Sequence, residues 1–186
     1  MARINVIQYD DAKGHLKETY DEIIAKRGQL SEVLKIQSLH PETIKSHLQL
    51  FIDIMFSKSA LSRAEREMIA VVVSVANGCL YCQEHHGAAL NHYWKDEDRI
   101  KKLKSDYHNA GLTSKEISLC DFAVHLTKNP AAHENTDHTN ILRKKGMDDK
   151  AILDAVLVTG YFNFVNRLVL ALGIELEDHK GKGYKY

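Results

Sequence analysis

The chain has 186 residues, 44% of them hydrophobic and 27% charged, enough to bury a sizeable core and stay soluble. Lysine plus arginine equals aspartate plus glutamate at 25 each, so no charge surplus exists to attract nucleic acid or an anionic membrane surface as a partner. No N-terminal apolar run resembles a signal peptide, and the longest apolar segment, Met68 to Ala76, is half the length of a membrane span, so the expected location is cytoplasmic.

Two prolines, Pro41 and Pro130, and helix formers throughout give an all-α expectation, with 1–186 as a single domain. Residues 1–9 read as an extended arm. Asp10 or Asp11 caps a first helix through about Ala25, with Leu16, Tyr20, Ile23 and Ile24 at helical spacing, and Gly28 ends it. A connector over 29–40 leads to Pro41, which suits the first turn of a helix carrying Ile44, Leu48, Phe51, Ile52 and Met55 on one stripe and ending near Ser57. Ser62 and Glu65 form a capping box for a helix that is almost wholly apolar from Met68 to Ala76 and therefore belongs in the core. Asn77-Gly78 stops it, and a new helix runs from Cys79 to about Trp94.

Residues 95–106 read as a short exposed helix. After the break at Gly111, Thr113 and Glu116 make a second capping box for a helix over 114–128 that buries Ile117, Cys120, Phe122, Val124 and Leu126. Asn129-Pro130 breaks the chain again, a polar helix covers 134–145, and Asp148 caps the last long helix, with Ile152, Leu153, Val156, Leu157 and Val158. From Glu175 to residue 186 the chain reads as a polar, frayed tail. Most of the 11 histidines stand singly on polar stretches and read as surface residues. Shifting the sequence by 84 residues lays Cys79-x-x-Cys82 over Asn163-x-x-Asn166, a pattern-level hint of two related helical hairpin halves.

The chemistry concentrates between Glu67 and His86. In a cytoplasmic chain a C-x-x-C pair is more readily catalytic or metal-binding than a structural staple. On a helix beginning at Cys79, the side chains of Cys79, Cys82 and His86 fall within roughly a 60° arc, with His85 on its flank. A helix N-terminus favours a thiolate, and a neighbouring imidazole can take its proton. Chain reversal at Asn77-Gly78 brings Glu67 within about one turn of His86, where a carboxylate would orient the imidazole and raise its basicity. Two thiols one turn apart can close a disulfide after one of them is oxidised to a sulfenic acid.

This constellation, Glu67-x11-Cys79-x-x-Cys82-x3-His86, resembles the signature of the AhpD-like alkylhydroperoxidases of the carboxymuconolactone decarboxylase superfamily. The segments NGCLYCQEHH and NFVNRLVLALGIELE look most like the peroxidase-related branch. The resemblance implies an AhpD-like helical fold, a trimer or hexamer of identical chains, and reduction of a hydroperoxide at the expense of a thiol or dithiol reductant, without a cofactor or metal. It makes Cys82 the attacking thiol and Cys79 the more accessible resolving thiol, and gives His86 and Glu67 a proton relay, with His85 and Tyr81 as accessory candidates. AhpD proper has a histidine between the cysteines where this chain has Tyr81, which leaves the reductant open. Asn166 and Arg167 stand in the branch-like segment without a role.

Three other readings compete. A zinc site could be built from Cys79, Cys82 and His86 with His85 or Glu67 as fourth ligand, although a second C-x-x-C is missing. The lactone decarboxylase chemistry of the superfamily needs no paired cysteines. A redox-sensing oligomer would oxidise once and stop. Cys120, among apolar neighbours, reads as a core cysteine rather than a redox centre.

Overall fold

The computed structural model describes residues 2–177, within which ten α-helices and two 3₁₀ turns account for the regular structure and no strand occurs. The helices are α1 (Gly14–Arg27), α2 (Glu32–Lys35), α3 (Pro41–Phe56), α4 (Arg63–Ala76), α5 (Leu80–Trp94), α6 (Glu97–Ser105), α7 (Ser114–Lys128), α8 (Ala132–Asn135), α9 (Thr139–Lys144) and α10 (Asp149–Leu172). The all-α expectation holds.

The apolar run in α4 makes that helix central: every residue from Arg66 to Ser74 is buried, and α5, α7 and α10 all pack against it. Both capping boxes form, Ser62 with Glu65 at α4 and Thr113 with Glu116 at α7. The main core gathers Met68, Val71, Cys82, Leu90, Leu119, Phe122, Val158 and Phe162, while Leu16, Tyr20, Ile23, Leu34 and Ile44 form a smaller cluster under α1 and α3.

The reversal after α4 is a Schellman turn. Gly78 takes φ 69°, the Gly78 N–H donates to Val75 O (3.0 Å) and the Cys79 N–H to Ser74 O (2.8 Å). Cys79 is thus the N-cap of α5, and the helix proper begins at Leu80, one residue later than expected.

Other expectations need correction. Asp10 and Asp11 lie in a 3₁₀ turn, and α1 starts at Gly14 and runs to Arg27. The connector contains α2. The 95–106 helix is amphipathic rather than merely exposed, because Ile100 and Leu103 are buried against the core. In α7 the fully buried apolar residues are Leu119, Cys120, Phe122 and Ala123, whereas Ile117, Val124 and Leu126 are half-buried. The polar helix over 134–145 is split into α8 and α9, with Thr136 extended between them. The Asn163–Asn166 segment lies inside the unbroken α10, so the 84-residue shift finds no second turn there.

The arm remains extended and useful: Arg3 donates from its backbone N–H to Leu172 O (2.9 Å) and from Nη1 to Leu170 and Ala171 carbonyls, closing the C-terminus of α10. The frayed-tail reading fails at Glu177, which is anchored as described below. The rest of that stretch, 178–186, lies outside the described residues. At 24 residues α10 is the one described helix long and apolar enough to cross a membrane, a length that Met68–Ala76 had concealed, and its Ala155, Val158, Phe162 and Val165 are spent on the core.

A Cβ at Gly78 would meet nothing within 4 Å, so substitution there is opposed by backbone conformation alone. Gly78→Ala should cost about 1–2 kcal/mol in urea unfolding, and Gly78→Asn distinctly less, because asparagine tolerates the left-handed region. Equal losses would show that the turn is not the constraint.

Candidate active site

Glu67 is wholly buried, one turn and a half into a helix otherwise apolar beyond it, and its two oxygens are fully committed. Oε2 lies 2.7 Å from His86 Nδ1, and Oε1 accepts from Arg63 Nε (2.9 Å) and from Arg63 Nη2. Burial alone would raise the Glu67 pKa, but His86 and then Arg63 outweigh it and hold the carboxyl below its usual range. The ring of His86 is fixed edge-on to Phe162 at 4.4 Å, and with Nδ1 occupied by the carboxylate its remaining nitrogen is Nε2. Arg63 also stacks over Phe56 at 3.7 Å. Sequence reading paired Glu67 with His86 but missed Arg63, although its i,i+4 spacing to Glu67 was available.

All three cysteines are free thiols and all are buried. Cys79 and Cys82 lie near each other at the start of α5, and each influences the other's loss of a proton. The Cys82 thiol donating to Cys79 pulls the Cys79 pKa down, while that same bond and burial push Cys82 well up. The pair therefore gives up one proton below the ordinary thiol range and holds the second tightly. Cys120 differs: burial, with Asp121 nearby, drives its pKa well up, in keeping with a core thiol.

A cavity of about 90 Å³ opens beside this pair. Cys82, His86, Glu67, Arg63, Tyr161 and Phe162 line it, and Cys79 does not. Cys79 is also 0% exposed, so the expectation that it is the more accessible thiol is reversed. The cause is the cap position, which turns its side chain under α5 toward Cys82 and the core.

Asn166 now has a place. It is buried, its amide donates to Ser74 Oγ (3.2 Å), its Oδ1 accepts from Asn77 Nδ2 (2.9 Å), and its presence beside Cys82 pulls that thiol's pKa down against burial. Asn77 also donates to Asn163 Oδ1 (3.1 Å), and Arg167 Nη1 donates to the same oxygen (2.8 Å). Asn163 Nδ2 reaches Thr127 Oγ1 (2.9 Å). This chain of amides ties the turn before Cys79 to α10 and α7.

On another side of the cavity stands a dyad that the sequence did not reveal. Tyr161 Oη lies 2.7 Å from His47 Nε2, and His47 Nδ1 lies 2.7 Å from Gln37 Nε2. Gln37 Nε2 also donates to Val33 O (3.0 Å), which can only accept, so this atom is the amide nitrogen. It then donates to Nδ1 as well, which leaves Nε2 of a neutral ring to donate to Tyr161. Burial lowers the His47 pKa to about 4, so the neutral form prevails near pH 7. Burial, then the nearby Cys82, keeps Tyr161 protonated, and its hydroxyl hydrogen is not needed by His47. Only the separation of 114 residues hid this pair.

The accessory candidates are brought together by the chain's last described residue. Tyr81 and His85 stack at 4.3 Å, Tyr81 Oη donates to Glu177 Oε1 (2.9 Å), and His85 Nε2 lies 2.7 Å from Glu177 Oε2. Glu177 Oε1 also accepts from the Glu32 N–H (3.2 Å) at the start of α2. The zinc reading fits this geometry poorly. Glu67 and His86 satisfy each other, His85 is held by Glu177, and Cys79 is turned away from the cavity. Among the described residues, the ligand atoms of Cys79, Cys82 and His86 do not converge as a metal-binding group.

A buried carboxylate–imidazole pair and the Cys82 thiol thus line one small cavity, with Cys79 behind Cys82. Residues 41–103 match the carboxymuconolactone decarboxylase family. An uncharacterized peroxidase-related protein from Silicibacter sp. TM1040 superposes with a TM-score of 0.86 at 30% identity, over 97% of this chain and 94% of that one. The alkylhydroperoxidase AhpD core of an uncharacterized peroxidase-related protein from Ralstonia eutropha JMP134 gives 0.84 at 27%, over 99% and 98%. The uncharacterized protein YdfG of Bacillus subtilis (strain 168) is 24% identical over 144 residues, 77% of this chain and 96% of its own length. The chain belongs to the AhpD-like, peroxidase-related part of the carboxymuconolactone decarboxylase family.

Burial tends to raise the Glu177 pKa, but His85 overcomes it and lowers the value from 4.5 to about 2. A carboxyl depressed on folding stabilises the native state above its unfolded pKa and loses that contribution as pH falls toward the folded one. Acid unfolding of the wild type between pH 4.5 and about 2 should therefore forfeit on the order of 1 kcal/mol that Glu177→Gln does not lose, after allowance for partial solvent screening. Parallel stability profiles across that window would disprove the tie.

Proposed function

We propose that this protein is a thiol peroxidase that reduces a hydroperoxide at Cys82 and closes a Cys79–Cys82 disulfide, which an external thiol or dithiol then reopens. The observation that carries this reading is the convergence of Cys82, His86 and Glu67 on one cavity, with Cys79 bonded to Cys82 from behind.

The first proton passes to His86, whose imidazolium the Glu67 carboxylate stabilises. The remaining proton of the pair moves across the hydrogen bond to Cys79, so that the sulfur facing the cavity is the thiolate, stabilised by the Asn166 amide. Cys82 attacks one peroxide oxygen: an S–O bond forms, the O–O bond breaks, and the alcohol leaves with a proton returned by His86. Tyr161 donates a hydrogen bond to the departing oxygen. Cys79 then attacks the Cys82 sulfenic acid, the S–S bond forms, and the hydroxyl leaves as water with the Cys79 proton. The two thiols have lost two electrons and the peroxide has gained them.

Homo-oligomerisation, as a trimer or hexamer, belongs to the same proposal. Leu153, Leu157 and Phe164 are exposed at i, i+4 and i+11 on α10, with the exposed Gly160 between them, an apolar stripe on which another chain can approach closely.

One equivalent of peroxide should consume two thiols per chain, and mass mapping should assign them to a Cys79–Cys82 disulfide. Cys82→Ser should abolish turnover with a dithiol reductant, His86→Ala should slow it roughly 10²-fold, and Tyr161→Phe by about tenfold. Cys120→Ala should leave the rate unchanged. Unaltered peroxide reduction in Cys82→Ser or His86→Ala would overturn the relay, and oxidation that occurs once without turnover would make the protein a sensor instead.

A further inference from the structure

Three histidines that look unrelated in the sequence converge on a face that shares no residue with the thiol cavity. His125 lies in the last turn of α7, His133 in α8, and His138 is the N-cap of α9. Their ring centroids are 5.0 Å apart for His125 and His133, 4.2 Å for His125 and His138, and 4.5 Å for His133 and His138. One nitrogen from each ring lies within 4.8 Å of the others, and His125 Nδ1 and His133 Nε2 are hydrogen-bonded at 3.0 Å. The residues are half-buried, so part of their hydration is already lost while an ion can still enter.

Surface histidines do not ordinarily gather this way, since each added imidazole makes protonation of the others harder. Neutral imidazole nitrogens are the form that binds metal. In a tetrahedral site with metal–nitrogen bonds of 2.0–2.1 Å, adjacent nitrogens are about 3.3 Å apart. One pair, at 3.0 Å, is already near that spacing, and the remaining nitrogens lie within 4.8 Å.

The surrounding architecture gives the cluster something to do. No residue of α8 is buried, and between Pro130 and Ile141 no apolar side chain enters the core, so the segment lacks the hydrophobic anchoring that holds the other helices. The packing of His133 edge-on to Phe122, at 5.5 Å, is one of its few ties to α7. A metal bridging His125 to His133 and His138 would fasten the segment to α7.

We propose that His125, His133 and His138 form a binding site for one divalent transition-metal ion, separate from the thiol pair. A set of three imidazoles without a thiolate or carboxylate suits Zn²⁺, Cu²⁺, Ni²⁺ or Co²⁺ rather than Mg²⁺ or Ca²⁺. Three protein ligands leave a fourth position for water.

Co²⁺ is the probe that reports geometry, and Zn²⁺ the competitor. Chelator-treated full-length protein should take up one Co²⁺ per chain with visible d–d bands of a low-coordinate ion, Zn²⁺ should bleach them, and Mg²⁺ should not. Metal loading should raise the thermal midpoint. His138→Ala and His133→Gln, checked as folded by circular dichroism, should each weaken binding roughly tenfold or more. The Cys79→Ser/Cys82→Ser double variant should bind Co²⁺ as the wild type does. Absence of stoichiometric uptake, retention of full affinity in both histidine variants, or loss of binding in the cysteine double variant would each overturn the site. Because the readout is metal uptake, the outcome is independent of whether the protein reduces peroxides.

Discussion

The structure depends on a carboxylate buried where none should be tolerated without partners. Glu67 is completely enclosed, and an isolated ion there would cost several kcal/mol in lost hydration. Arg63, one turn earlier on α4, and His86, on the antiparallel α5, divide its two oxygens between them. That division fixes the relative rotation of α4 and α5, because sliding either helix by one residue would strip the carboxylate of a partner. The Schellman turn at Gly78 sets the axial register, and the Glu67–His86 bond locks the azimuth. What looks like a catalytic pair is also the pin of the central helix hairpin, so the site is as rigid as the core around it.

A second polar spine runs through α10. A helix this apolar would ordinarily exclude asparagine, yet Asn163 and Asn166 occupy one face of it, with Asn166 fully buried. Every polar atom of the two amides named above is matched: to Asn77 at the turn, to Ser74 in α4, to Thr127 in α7 and to the Thr159 carbonyl. Satisfied buried networks of this kind specify one arrangement of helices, since any other leaves amides unpaired. The spine therefore does for α10 and the thiol pair what Glu67 does for α4 and α5.

Local signals were legible because local physics produces them. Ser62 with Glu65, Thr113 with Glu116, Asn77-Gly78 and Asp148 each mark a helix end through groups within a few residues, and each is found where the sequence puts it. Glu67 and His86 were within reach because one tight turn separates their helices. The signals that failed depend on distance along the chain. His47 and Tyr161, or His85 and Glu177, meet only after the whole bundle is assembled, and a lone polar residue carries no mark of its distant partner. Burial of Cys79 was misread for a subtler reason: helical angle predicts which face a residue shares, and the cap position obeys a different backbone geometry, φ −89° and ψ 90°.

The charge balance of the site explains why these elements occur together. Glu67 and Arg63 form a largely buried pair of opposite charges beside the thiol pair and His86. In the proposed reaction, a proton moved from the thiol pair to His86 stays within the same enclosure and leaves its net charge unaltered. Cys120 has a carboxylate rather than an imidazole nearby and so no such route; burial first, then Asp121, drives its pKa up. Under the proposed function, what separates Cys82 from Cys120 is therefore a nearby imidazole that can take the proton, since burial raises both thiol pKa values. His86 and then Arg63 keep the Glu67 carboxyl ionised against the cost of burial, so that a carboxylate is there to orient the His86 ring.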